Sequence, residues 1–352
     1  SYRLVKLKAR PKGEIIPSNV FEVVEKPIPT LNSLPENGIV VRVKYLSLDP
    51  TLRSFISGVD TYMKAVQIGE VMRAWGIGVI ELTKNPKFKL GDLCFGMFGF
   101  TEFYTSDNGA GIATFSTPLP KGINEYDLLG VLGTTGLTAF TGLETIAQNY
   151  KLNPEAKSTV VVSGAAGGTG IIVGQIAKLK GAKNVIGIAG SAEKCRLLKE
   201  EYGFDHALNY KSPSFKRQFI KLTTNPETKA GTIDLYWDNV GGEILDLALN
   251  QAADNAFFVM CGAISEYNNQ GPPDGLRNYA NIITKRLTLK GFVIIDHVKG
   301  YDQARKKLIT WISEGKLKTK TTIISGEINR APQALVSLFK GENIGKLVFR
   351  IN

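Results

Sequence analysis

The turn Ser163-Gly164-Ala165-Ala166-Gly167-Gly168-Thr169-Gly170 spaces three glycines as G-x-x-G-x-x-G. An apolar run, Ser158-Thr159-Val160-Val161-Val162, leads into it. A helical stretch from about Ile171 to Lys180 follows, with Ile172, Ile176 and Leu179 on one face and Gly181 as its stop. A strand, a glycine turn and a helix start together present backbone N–H groups and a partial positive charge to a pyrophosphate. The turn is therefore read as a dinucleotide-binding loop. The plainer reading is a tight strand–helix corner that needs small residues.

The next strand, Asn184-Val185-Ile186-Gly187-Ile188-Ala189, should carry the ribose reader at its end. An NAD site usually places an Asp or Glu there, bonded to the ribose 2′-OH. Here the position is Gly190, and Lys194 and Arg196 follow on the next helix. An ammonium attracts a 2′-phosphate as a point charge, which favours NADPH over NADH. Lys194 could also be a solvated surface lysine. Glu193 beside it suits a helix start.

Composition narrows the field. The 352 residues are 43% hydrophobic and 21% charged, a globular balance with material for two domains. The three cysteines, Cys94, Cys195 and Cys261, are far apart and suit a reducing, cytoplasmic setting. With two histidines and no CxxC or HExxH, no metal site is expected. No apolar run nears the ~20 residues a membrane helix needs, and the start, Ser1 to Lys8, lacks a secretory core. The net charge of +11 is scattered and reads as a solvated basic surface, so neither nucleic acid nor membrane is an expected partner.

These residues need a frame. Up to about Leu128 the chain shows short β-like runs, such as 38–45 and 75–81, broken by Pro27, Pro29, Pro35, Pro50 and Pro86. That pattern predicts a barrel-like β unit. From about Gly130, strands and helices alternate, which predicts parallel βαβ units. The expected strands are 158–162, 184–189, 233–237, 256–260 and 287–295, with helices near 193–202 and 304–313. Runs at 321–324 and 345–350 return to β character. His206 is expected on a loop before Asn209.

Several stretches in order carry a resemblance: Leu48-Asp49-Pro50-Thr51-Leu52-Arg53, Gly133-Thr134-Thr135-Gly136-Leu137-Thr138-Ala139 and the Gly164 turn. Gly190 to Lys194, Phe204-Asp205, Asn209-Tyr210-Lys211 and Asp238-Asn239-Val240-Gly241-Gly242 continue it, followed by Cys261 to Asn268, Gly291-Phe292-Val293 and Gly341 to Lys346. With these, the chain resembles the medium-chain dehydrogenase/reductase superfamily, in the zinc-independent branch that includes prostaglandin, alkenal and curcumin reductases. The resemblance implies an α/β fold: a doubly wound parallel Rossmann sheet, residues 129–315, inserted in a GroES-like β-rich catalytic domain, residues 1–128 plus 316–352. It implies an active site in a cleft between the domains and a homodimer joined through an edge strand of the Rossmann sheet.

By the same resemblance, Lys194 and Tyr210 would hold the 2′-phosphate and Gly167 to Gly170 the pyrophosphate. Asn239, then Cys261, Gly262, Ala263, Ile264 and Ser265, then Phe292, Val293 and Ile294, and finally Asn343 would line the rest of the NADPH. The chain departs from the family at Thr51, where the D-P-x-x-R motif often carries an aromatic; Tyr62 downstream could supply one, or be a solvent-facing loop tyrosine.

Lacking the zinc ligands of its metal-dependent relatives, such a protein would reduce a conjugated C=C bond. Hydride adds at the β-carbon and the charge appears on the carbonyl oxygen as an enolate, which a tyrosine hydroxyl can stabilise. Tyr267 is the expected donor, with Tyr267, Tyr62 or water delivering the α-carbon proton. Cys261, at the end of an apolar strand, reads as a buried structural thiol, and neither His206 nor His297 has a catalytic partner pattern. The expected activity is NADPH-dependent reduction of α,β-unsaturated aldehydes and ketones. The alternatives are a quinone oxidoreductase and a non-catalytic NADPH-binding protein.

Overall fold

A computed structural model describes residues 1–148, 158–272 and 275–352. The chain divides into two compact units: residues 1–133 with 321–352, and residues 134–320.

The first unit is built on short strands. β1 (Tyr2–Leu7) and β2 (Phe21–Lys26) form an antiparallel pair. β3 (Ile39–Leu48), β4 (Gly76–Thr83), β5 (Leu93–Gly96), β6 (Phe103–Ser106) and β7 (Ala113–Phe115) belong to a seven-stranded sheet. Aliphatic side chains such as Ile39, Val41, Leu46 and Leu48 are buried from β3 and meet Phe100 and Phe349 in one core. Each such side chain taken from water contributes roughly 1.5–3 kcal/mol.

The second unit alternates strand and helix. β8 (Thr159–Val162), β9 (Asn184–Ala189), β10 (His206–Asn209), β11 (Ile233–Asp238), β12 (Ala252–Met260) and β13 (Thr288–Gly291) pair in parallel, in the order β10-β9-β8-β11-β12-β13. Val160, Val161 and Val162 are all fully buried. An unbroken apolar run of that kind suits a central strand covered on both faces. The strand order reverses between β8 and β11, and in open parallel sheets ligands bind outside the carboxyl ends at such a point. After residue 320 the chain returns to the first unit as β14 (Thr321–Gly326) and β15 (Lys346–Ile351); β15 pairs antiparallel with β3.

The sequence reading needs three corrections. The strand expected over 287–295 ends at Gly291, and Ile294–Gly300 winds into 3₁₀ turns. Leu179, expected on the buried helix face, is 39% exposed, whereas Ile172 and Ile176 are buried. His206 opens β10 rather than lying on a loop.

Candidate functional site

The helix Gly168–Leu179 starts directly after the glycine turn and has no side-chain cap at Gly167. Its first N–H groups therefore face outward at the end of β8, where an anion can accept from them. Gly164 takes φ +59, a left-handed conformation that turns the chain out of the sheet. Gly170 lies so close to the turn that an added Cβ would sit 2.4 Å from the Gly164 carbonyl oxygen and 2.7 Å from Ala165 Cα. Both obstacles are backbone. Gly170→Ala should therefore open the turn, lowering stability by about 1–3 kcal/mol as overpacking does. Thermal melts read the loss, and an unchanged Tm would show that the turn has slack.

The carboxyl ends of β9 and β10 form a second cluster. Ser191 caps the helix Ala192–Glu200, its hydroxyl accepting from the Lys194 N–H at 3.2 Å. That bond fixes Lys194 in the first turn. Tyr210 N–H donates to the Ala189 carbonyl at 3.0 Å, and a Cβ added at Gly190 would lie 3.1 Å from the Tyr210 ring. The Lys211 ammonium stands 5.8 Å from the centre of that ring. Burial first, then repulsion from Lys211, lowers the Lys194 pKa, against a smaller upward pull from Glu193. Two ammonium groups close enough to repel one another favour an anion between them. Lys211 is not among the expected contacts, and the structure brings it close to Tyr210 and Lys194.

The third cluster gathers the loops after β8, β11 and β12. Asn239 Nδ2 donates to the Ser163 carbonyl at 2.8 Å, and Trp237 Nε1 donates to Asn239 Oδ1 at 3.0 Å. The Phe292 ring packs edge-on to Trp237, 6.1 Å between centroids. Cys261 N–H and Gly262 N–H both donate to the Asp238 carbonyl, at 2.9 and 3.0 Å. Ile264 N–H reaches the Asn239 carbonyl at 3.3 Å, and Ser265 N–H reaches the Val240 carbonyl at 3.1 Å. Ile264–Glu266 thus forms one 3₁₀ turn that delivers Tyr267. The Ala263 N–H donates to the Tyr267 hydroxyl at 3.2 Å. That bond uses an oxygen lone pair and does not consume the phenolic O–H. Burial, with the nearby Asp238 charge adding to it, pushes the Cys261 thiol up to about 12, so it stays protonated. Val293 precedes the 3₁₀ segment, and the Ile294 carbonyl accepts from the Tyr301 hydroxyl at 3.0 Å.

Two of the expected residues belong to the other unit. Tyr62 is 48% exposed, its hydroxyl is 2.6 Å from Thr51 Oγ1, and its ring stands edge-on to Phe55. The third position of D-P-T-L-R therefore holds a tyrosine hydroxyl in place without being aromatic itself. Asn343 is buried, and its Nδ2 donates to the Gly345 carbonyl at 2.8 Å. Among the described residues no group of three or more His, Cys, Asp or Glu could hold a metal ion.

Two family models match: the N-terminal domain of oxidoreductase over residues 3–114, and zinc-binding dehydrogenase over residues 168–314. The chain is 34% identical to the NADPH-dependent curcumin reductase of Escherichia coli, covering 98% of this chain and 95% of that protein. It is 36% identical to the NADP(+)-dependent 2-alkenal reductase of Nicotiana tabacum, covering 90% of this chain and 88% of that one. The chain belongs to the medium-chain dehydrogenase/reductase family. Its fold agrees: the CurA protein of Vibrio vulnificus, solved with NADPH, superposes with a TM-score of 0.88 at 31% identity over 99% of each chain. As a medium-chain dehydrogenase/reductase, this protein is an oxidoreductase with a Rossmann-like parallel sheet and a separate β-rich unit.

Proposed function

We propose that this medium-chain dehydrogenase/reductase is an NADPH-dependent reductase of the C=C bond in α,β-unsaturated aldehydes and ketones. The observation that carries the reading is the Tyr267 hydroxyl, held by the Ala263 N–H over the loop at the end of β12.

The cofactor is NADPH, and bound there it supplies a hydride from its nicotinamide ring. Three features of this chain fit it. The glycine turn offers uncapped amides to the pyrophosphate. Gly190 replaces the acid that would repel a 2′-phosphate; the Tyr210 ring packs beside it, and Lys194 and Lys211 add two nearby positive charges. Asn239, Gly262 to Ser265 and Phe292 lie in the loops after β11, β12 and β13, at the carboxyl ends of the sheet, which suits contact with the rest of the dinucleotide.

Tyr267 donates to the substrate carbonyl oxygen, where charge develops as the β-carbon is reduced. The α-carbon proton comes from Tyr267, Tyr62 or water, the three donors that the sequence reading leaves open. Cys261 takes no part, because desolvation and the nearby Asp238 charge push its thiol up to about 12 and keep it protonated. The relatives named for curcumin and 2-alkenal reduction support this substrate class.

The proposal extends to a homodimer in a reducing, cytoplasmic setting. β13 ends the parallel sheet, and Tyr279 and Ile283 beside it are 62% and 73% exposed. A second copy pairing along that edge would cover both. Light scattering at twice the chain mass is expected, and a monomer would refute it. The activity is tested by NADPH oxidation against a panel of enals, enones, quinones and saturated aldehydes. Turnover led by the enals and enones is expected. Turnover of quinones alone, or of nothing, overturns the reading.

A further inference from the structure

One fully buried carboxylate has no place in the mechanism so far. Asp238 closes β11 with no exposure to solvent. Its Oδ1 accepts from the Ser163 hydroxyl at 3.0 Å, the Tyr236 hydroxyl at 3.2 Å, the Val240 N–H at 3.1 Å and the Gly241 N–H at 2.9 Å. Its Oδ2 is buried and meets no hydrogen-bond partner among the described residues. A carboxylate this deep is costly, and burial raises its pKa against the pull of those four donors. A neutral Asn or Thr would cap the same turn more cheaply.

What the charge holds is the turn Asn239-Val240-Gly241. The carbonyls of that turn receive the Ile264 N–H, the Ser265 N–H and, at 2.6 Å, the Ser265 hydroxyl. These bonds set the 3₁₀ turn from which Tyr267 projects. On the other side, the Ser163 hydroxyl both donates to Asp238 and accepts the Asn239 N–H at 2.9 Å, tying in the start of the glycine turn. The loops after β8, β11 and β12 thus share one anchor.

We infer that Asp238 is a positioning residue for hydride transfer: through the Asn239–Gly241 turn it fixes where the Tyr267 hydroxyl stands relative to the glycine turn. The inference rests on the role proposed for Tyr267. Charge-assisted bonds are about twice as strong as neutral ones, so the anion makes this anchor stiffer than an amide would.

The test is a double-mutant cycle on the full chain with bound NADPH and a simple enal, read by single-turnover hydride transfer. Asp238→Asn keeps an acceptor oxygen and the side-chain shape but removes the charge. It should slow transfer by ~10- to 100-fold, as small misplacements of reacting groups do. Tyr267→Phe should then cost less than ~10-fold on that background, against ~100-fold or more in the parent chain. An equal Tyr267→Phe penalty on both backgrounds would overturn the inference and reduce Asp238 to a structural residue. No penalty in the parent chain would instead overturn the role of Tyr267 itself. If Asp238→Asn does not fold, Tyr236→Phe removes one donor from the same oxygen and enters the same cycle. It should shrink the Tyr267→Phe penalty in the same direction, and strict additivity would again contradict the inference.

Discussion

Replacing Tyr267 by Phe should slow single-turnover hydride transfer ~100- to 1000-fold, the usual loss when one donor to a developing oxyanion is removed. The ring remains, so its packing against the loop is kept. The Ala263 N–H loses its 3.2 Å acceptor. That residue is only half-buried, so water can replace the bond and the stability change should stay within about 0.5–1.5 kcal/mol. NADPH affinity should barely move, because the hydroxyl serves the substrate. An unchanged rate constant would shift the donor role to Tyr62, whose hydroxyl is already held by Thr51. Lost NADPH affinity with normal chemistry would make Tyr267 a cofactor contact.

Lys194→Ala should weaken NADPH binding by about 1–3 kcal/mol, the range for a hydrogen bond to a charged group, while NADH binding stays nearly constant. The reason is local: a lysine whose backbone is held in the first helical turn by the Ser191 cap, with the Lys211 charge close by and Gly190 where an acid would otherwise stand. pH should follow with a definite sign. The protonated amine binds the phosphate, and burial and Lys211 lower its pKa. Discrimination between NADPH and NADH should therefore decline with rising pH earlier than an ordinary lysine would allow. Isothermal titration with both cofactors reads this directly. Equal losses for NADPH and NADH in the variant would exclude Lys194 as the 2′-phosphate reader.

The parallel sheet was legible because its strands are short apolar runs separated by helical periods, and the glycine turn marks the first crossover. The preference for NADPH was legible from glycine at 190, where an NAD site usually carries an acid. The segment after Gly291 was not, since Phe292-Val293-Ile294-Ile295 is an apolar run that fits either a strand or a short helix. Leu179 matched the helical period, yet it closes the helix and stays partly exposed. Asp238 stood inside a quoted motif without a role. Only burial and the four donors on one oxygen distinguish it from an ordinary turn aspartate. The Thr51–Tyr62 contact joins the short helix Thr51–Phe55 to the loop that follows it, and no spacing in the sequence marks that closure.

The most direct measurement follows the hydride itself. NADPH deuterated at the transferring position of its nicotinamide is turned over with an enal, and the product is examined by NMR. A saturated aldehyde carrying deuterium on the β-carbon is expected. Deuterium on the carbonyl carbon of an allylic alcohol, or no labelled product from any enal or enone, would contradict it.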